Sequence, residues 1–258
     1  WFLPQEIIRA VKVIRCEMLE RQRLEAWAGA YPPVRTPKRV LVVMAGNIPL
    51  VGFFDLLCVL ASGHACRVKP SSKDTVLIGY VIDLLRTIDP AIPLRMAEQG
   101  ERPDAVIATG SDNANRYFRM LFGGIPSLLR GSRQSVAVLS GRETAAELSG
   151  LEEDIFAYSG LGCRNVSLLF LPRGYMPELR CTALNEKYRR NYLRERALLR
   201  MRRMPFVDLD GAVLCEDRSF PAALSRIHYT FYDSLADVEA WLAAHDDRLQ
   251  CVVSQCVR

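Results

Sequence analysis

Short apolar runs alternate with helix-patterned segments along most of this chain, and that alternation constrains its fold more than any other feature. Residues 40–44, Val-Leu-Val-Val-Met, carry no polar side chain, and residues 166–171 carry only one. Strands with almost no polar face are buried on both sides, and the alternation with helices makes the sheet parallel. Strands are expected at residues 40–44, 65–68, 104–108, 135–139 and 166–171, then at 212–215, 228–232 and 250–253. Helices are expected at 4–30, 50–62, 74–88, 112–121 and 144–157, then over the basic stretch 186–203 and at 234–245. Tyr31-Pro32-Pro33 ends the first helix, because proline cannot continue one. Ser234-Leu235-Ala236-Asp237 opens the last helix as a capping box with Asp in the place of Glu. The fold class is therefore α/β, with sheets covered on both faces.

At 258 residues the chain fits one large domain or two ordinary ones. Gly123-Gly124-Ile125-Pro126 marks the boundary. The expected division is a helical segment over 1–37 and two α/β domains over 38–127 and 128–258. The chain starts without Met and ends just after a strand-like segment, as a piece of a longer protein would.

With 50% hydrophobic and 24% charged residues, the chain is neither disordered nor fibrous. Its net charge of +5 does not describe a nucleic-acid binder. The charge is concentrated: residues 186–203 hold eight basic side chains against Glu186 and Glu195, and the rest is close to neutral. That stripe reads as a solvated helix face, or as a site for phosphates or an acidic partner subunit. It offers Tyr188 and Tyr192 but no nucleic-acid-binding motif. The eight cysteines lack C-x-x-C pairs and fixed spacing, so free thiols in a reducing, cytoplasmic setting are expected. The three histidines stand apart, and no metal site is expected. The longest apolar run, 48–61, is broken by Asp55 and is shorter than the ~20 residues of a membrane span.

Three segments carry chemical potential. In Gly46-Asn47-Ile48-Pro49 a strand's carboxyl end meets a helix start, where open α/β sheets bind ligands. Asn47 reads there either as a helix cap or as a catalytic amide. Lys69-Pro70-Ser71-Ser72-Lys73 and Thr109-Gly110-Ser111 come after strands in the same way. Hydroxyls and lysines before a helix hold phosphate or ribose, or else form a solvated turn with Ser71 or Ser72 as the cap. Neither G-x-G-x-x-G nor a P-loop is present. In Tyr158-Ser159-Gly160-Leu161-Gly162-Cys163-Arg164-Asn165, two glycines allow close approach to a thiol, and Arg164 favours the thiolate of Cys163. The other cysteines read as core or incidental thiols.

Taken in order, Ala45–Phe53, Ala61–His64, Lys69–Ser71, Thr109–Ser111, Arg130–Arg133, Gly160–Ser167 and the stretch from Phe231 to Trp241 resemble the aldehyde dehydrogenase superfamily. The resemblance is nearest to its acyl-CoA reductase branch, the LuxC-like enzymes that supply fatty aldehyde to bacterial luciferase. It covers residues 38–256. It implies two Rossmann-type three-layer α/β domains, one for cofactor and one for catalysis, without the C-terminal segment that returns to the cofactor domain. It further implies that Cys163 is the nucleophile and that Asn47, with the Cys163 backbone N–H, donates to the oxyanion. Lys69, Ser71, Ser72, Thr109, Gly110 and Ser111 would hold the dinucleotide, and Gly160, Gly162 and Arg164 would border the substrate.

Two departures refine what the resemblance implies. NAD-preferring relatives often place a glutamate three residues after the lysine, where this chain has Ser72, next to Lys73. NADPH is therefore the expected cofactor. The general base of hydrolytic members falls at Leu128, so a thioester on Cys163 is expected to resist water. The superfamily's Glu-x-Phe-Gly-Pro motif is missing ahead of Phe231. The expected reaction is NADPH-dependent reduction of a long-chain acyl-CoA, or an acyl-protein thioester, to fatty aldehyde. An acyl-donor partner subunit and a homo-oligomer are compatible with it. The alternatives are a cysteine acyltransferase without a redox step and an inactive truncated homologue serving as a subunit.

Overall fold

The computed structural model describes residues 2–32, 34–182, 184–220 and 222–257. The chain forms two compact units, Trp1–Ser132 and Arg133–Arg258. The first contains α1 (Pro4–Val13), a π-helical turn (Ile14–Met18), α2 (Arg21–Gly29), β1 (Arg39–Val43), α3 (Phe53–Ala61), β2 (Ala65–Lys69), α4 (Thr75–Ile88), β3 (Leu94–Met96), β4 (Ala105–Thr109), α5 (Asp112–Phe122) and β5 (Ser127–Arg130). All five strands are parallel, in the order β3-β2-β1-β4-β5. The chain moves outward from β1 to β3 and then crosses to the other side at β4. The carboxyl ends of β1 and β4 thus flank the switch point, where sheets of this kind bind ligands. The expected break at residues 123–126 is a turn inside this unit, between α5 and β5, and the chain leaves the unit after Ser132.

The second unit contains β6 (Gln134–Val138), α6 (Ala145–Phe156), a 3-10 turn (Ala157–Gly160), β7 (Val166–Pro172), α7 (Glu186–Met201), β8 (Val207–Asp208), β9 (Val213–Glu216), β10 (Arg226–Tyr232), α8 (Leu235–Ala244) and β11 (Leu249–Ser254). Its sheet runs β11-β6-β7-β10-β9-β8, parallel except for β8 against β9. The apolar run 168–171 is the centre of this sheet, with each residue at most 1% exposed. Val42, Cys66 and Ala108 are equally buried at the centre of the first sheet. Burial pushes the Cys66 thiol up to about 12, which keeps it protonated. All eight cysteines are free.

Several local departures have identifiable causes. The helix expected over 4–30 breaks at Leu19–Glu20, because the Glu20 carboxylate accepts from the N–H groups of Gln22 and Arg23 and starts a new helix. Gly29 ends α2, and Pro33 of the expected stop signal lies outside the described residues. Thr144 and Glu147 form the full reciprocal box at the start of α6. At α8 the Ser234 hydroxyl accepts from Ala236 N–H instead, and Asp237, one carbon shorter than glutamate, does not complete a box.

The largest departure lies after β1. Helix α3 begins at Phe53, not Leu50, since residues 49–52 form a turn and Leu50 is left-handed at φ 55. A β-substituted residue pays for that conformation, and here a buried carboxylate holds it: Leu50 N–H donates to Asp74 Oδ2 at 2.8 Å. Asp74 is 1% exposed, and its Oδ1 finds no hydrogen-bond partner. Burial, only partly opposed by the Leu50 bond, raises its pKa from 3.8 to about 6. The folded carboxyl therefore keeps its proton to higher pH than the unfolded one. This group's contribution to stability is greatest below about pH 4 and is lost as pH rises through 6. Asp74→Asn retains an acceptor for Leu50 and removes the buried charge. It is expected to stabilise the fold by about 2–3 kcal/mol at pH 7.5 and to make no difference near pH 4. Thermal unfolding midpoints at the two pH values test this, and a variant less stable at pH 7.5 contradicts it.

Candidate functional site

In the first unit, the loops after β1, β2 and β4 meet at the switch point. At that end the main chain pairs β1 with β2 and β4 with β5: Val43 lies opposite Lys69, Met44 N–H donates to Lys69 O at 3.0 Å, and Gly110 N–H donates to Arg130 O at 3.1 Å. Gly46 packs so closely on the next loop that an added Cβ would lie 2.3 Å from Ser71 Oγ. Only glycine fits there. Arg130, at the end of β5, pairs at 2.7 Å with Asp55 of α3, which ties the outer strand to the same end of the sheet.

These contacts decide between the readings open for each residue. Asn47 sits in a bend six residues before α3, and Gly52 occupies the cap position, so the helix-cap reading of Asn47 is excluded. Neither Ser71 nor Ser72 caps α4. Ser71 Oγ packs against Gly46 and accepts from Lys73 N–H at 3.4 Å, while Lys69 and Ser72 are exposed. Ser111 does cap α5, its hydroxyl accepting from Ala114 N–H at 3.3 Å. Gly110 lies against that helix, where an added Cβ would come within 3.0 Å of Ala114 Cβ. The unit therefore presents exposed lysine and hydroxyl groups beside two helix starts at the carboxyl ends of a parallel sheet. That arrangement fits a dinucleotide's ribose and phosphates. From Lys69 to Lys73 there is no carboxylate, and Asp74 is held inward by Leu50.

In the second unit Cys163 stands just before β7, at the amino end of the sheet rather than the carboxyl end. The chain reaches it through three consecutive left-handed residues, Tyr158, Ser159 and Gly160, at φ 52, 55 and 61. Two of these are not glycine, so the turn is strained and its surroundings must hold it. Ser159 is 1% exposed, and its Oγ accepts from Asn185 N–H at 3.0 Å. Gly160 lies against Tyr188 of α7, and an added Cβ would be 2.9 Å from Tyr188 Cε2. Asn165 then locks the turn around the thiol. Its Oδ1 accepts from Gly162 N–H at 2.7 Å, and its Nδ2 donates to Asp154 O at 2.9 Å and Ala157 O at 3.0 Å. Ser135 Oγ, fully buried in β6, donates to Cys163 O at 3.0 Å.

Cys163 and Arg164 reach solvent from this pinned turn. Desolvation of the sulfur raises the Cys163 pKa above its ordinary value, although the charges of Arg164 and Arg133 lower it. Arg164 acts in the expected direction and is outweighed by burial. The structure thus brings Cys163, Arg164, Gly160 and Gly162 together on one loop, and Asn47 with the nucleotide-loop residues in the first unit. Asp74, Ser135, Ser159 and Asn185 had no signal in the sequence. Asn165 reaches back three residues to Gly162 N–H, a bond that the sequence does not signal either.

The histidines are absorbed by structure. His64 Nδ1 accepts from Lys38 N–H, His228 Nδ1 donates to Ser219 O, and His245 stacks on Trp241 at 4.0 Å. Among the described residues there is no cluster suited to a metal ion. Among the same residues, no helix is long and apolar enough to cross a membrane.

No protein-family model matches the chain, and neither does any curated protein sequence. Solved structures do. The chain is similar to an aldehyde dehydrogenase of Mycobacterium tuberculosis solved with NAD+, with a TM-score of 0.63 and 15% identity over 84% of this chain and 60% of that one. It is also similar to an NAD-dependent benzaldehyde dehydrogenase of Corynebacterium glutamicum, with a TM-score of 0.60 and 16% identity over 87% and 63%. An aldehyde dehydrogenase of Bacillus cereus in complex with NAD+ gives 0.60 and 13% over 90% and 66%. The fold is aldehyde-dehydrogenase-like, and the chain spans between 60% and 66% of the length of these three proteins.

The raised Cys163 pKa predicts how this thiol responds to pH. Alkylation of Cys163 by iodoacetamide should still be accelerating above pH 9, the ordinary value of 9.0 having been exceeded. Arg164→Gln removes the strongest opposing charge and should slow the reaction at pH 8 by about two- to tenfold. Peptide mapping of the alkylated protein across pH 6–10 measures both effects. A rate that levels off by pH 8 contradicts the prediction.

Proposed function

We propose that this chain carries the nucleotide loops and the reacting thiol of an acyl-thioester reductase, which converts a long-chain acyl-CoA to fatty aldehyde with NADPH. The observation that carries the reading is Cys163 itself. It is a thiol that reaches solvent from a turn fixed by Asn165, Ser135 and Ser159, on an aldehyde-dehydrogenase-like fold. An acyl-protein thioester presents the same carbonyl and is an equivalent donor.

In this reading the Cys163 thiol gives up its proton and its sulfur attacks the thioester carbonyl carbon. The carbon–sulfur bond to CoA breaks, CoA leaves as a thiol, and the acyl group stays on Cys163. Asn47 is assigned, from the resemblance alone, the amide that donates to the carbonyl oxygen when it bears negative charge. NADPH held by the nucleotide loops would supply a hydride for the acyl carbon and leave as NADP+. The resulting thiohemiacetal on Cys163 then releases aldehyde and restores the thiol. Leu128 occupies the position assigned to the water-activating glutamate of hydrolytic relatives, which supports a thioester that outlasts the wait for hydride.

Lys69, Ser72 and the start of α5 at Ser111 would hold the dinucleotide, with Thr109 and Gly110 along it. The choice of NADPH rests on charge. Lys69 and Lys73 flank a stretch without a carboxylate, so a 2′-phosphate meets no repulsion there.

Two kinetic comparisons test these assignments. KM for NADPH should be lower than KM for NADH, and a preference for NADH contradicts the charge argument. Asn47→Ala should reduce kcat by about 10²–10³, and near-normal turnover removes Asn47 from the mechanism.

A further inference from the structure

The basic stretch of the sequence is α7, and its exposed side has a pattern that a merely solvated helix does not require. Tyr188, Tyr192, Glu195 and Leu199 face the sheet, each 5% exposed or less. The arc of the helix opposite them is its outermost part; the ion pair Glu186–Arg190 occupies its first turns and an apolar row its last. Leu193, Ala197 and Met201 succeed one another at four-residue spacing, with Leu193 50% and Met201 80% exposed. Arg200 borders this row on one side and Arg194 on the other, with Arg189 and Arg190 in the turn before it. Arg190 pairs with Glu186 and Arg194 with Glu195. Among the described residues Arg189 and Arg200 have no ion-pair partner, nor do Arg202 and Arg203 just beyond the helix.

We propose that this face of α7 docks on an anionic lipid surface, with Leu193 and Met201 entering the headgroup boundary and the flanking arginines meeting lipid phosphates. An apolar spine with cationic borders is the pattern of a helix lying in a bilayer interface, where the long arginine stems run along apolar surface and the guanidinium heads stay at the phosphates. The guanidinium fork matches phosphate geometry. Other occupants fit less well. A second copy would set arginine rows against each other. Single-stranded nucleic acid would want exposed aromatic faces, and here Tyr188 and Tyr192 are turned into the core. The inference is independent of the reaction assigned to Cys163, because it uses no residue of that loop.

Flotation of the full chain with vesicles tests it, using phosphatidylcholine alone and phosphatidylcholine with about one-third phosphatidylglycerol. Binding is expected only to the anionic vesicles, and it should fall at least about tenfold when salt rises from about 0.1 to about 0.5 M. Arg189→Gln with Arg200→Gln should weaken binding by about 20- to 30-fold. Leu193→Gln with Met201→Gln should weaken it by about tenfold and leave the salt dependence in place. An unchanged Cys163 alkylation rate confirms that the variants remain folded. The proposal is overturned if anionic vesicles are not bound, if neutral vesicles bind equally, or if the arginine variants bind as the parent does. Retention on polyglutamate without vesicle binding also overturns it, in favour of an acidic protein partner.

Discussion

A parallel strand buried on both faces has no room for chemistry along its length, so everything reactive must sit on the loops at its ends. Both sheets of this protein are under that constraint. Val42, Cys66 and Ala108 in one, and the run 168–171 in the other, are closed to solvent. The residues with chemical potential lie where those strands stop. In the first unit they lie at the carboxyl ends, around the switch point between β1 and β4. In the second, Cys163 lies at the amino end of β7. The usual rule for ligand sites in open sheets describes the first arrangement and not the second.

Both sets of loops hold a backbone conformation that the chain would not adopt alone. Leu50 is left-handed because a buried carboxylate on the neighbouring loop takes its N–H. Tyr158 and Ser159 are left-handed because α7 and its cap residue Asn185 hold the turn from one side and Asn165 clamps Gly162 on the other. The strain is local and the side chains that offset it are mostly buried. The resulting loops have few alternative conformations. Helix α7 serves the thiol loop with its inner face while its outer face carries the arginines.

The architecture is legible in the sequence where burial is total. Strands β1, β2, β4, β6, β7, β9, β10 and β11 overlap the segments expected as strands from the sequence. Strands β3, β5 and β8 escape that reading, being short elements of three, four and two residues at or near sheet edges. An edge strand needs no continuous apolar run, and Leu128 of β5 is indeed 49% exposed. The start of α3 is misplaced by sequence because Pro49 is compatible with a first helical turn, whereas the bond from Leu50 to Asp74 spans 24 residues and leaves no local trace. The same holds for Ser135 and Asn185. The loops can be recognised from glycine and hydroxyl chemistry, but what fixes them is long-range. The sign of the Cys163 shift is also hidden, since a neighbouring arginine is visible in sequence and desolvation is not.

The central claim is that Cys163 takes an acyl group and holds it until hydride arrives, and intact-mass spectrometry tests it most directly. On mixing with a long-chain acyl-CoA and no nucleotide, the protein should gain one acyl mass that persists and that Cys163→Ala abolishes. Adding NADPH should remove that mass and release one equivalent of aldehyde. An adduct that never forms, or that Cys163→Ala still acquires, contradicts the account. Loss of the adduct without NADPH oxidation contradicts it too, and points to acyl transfer.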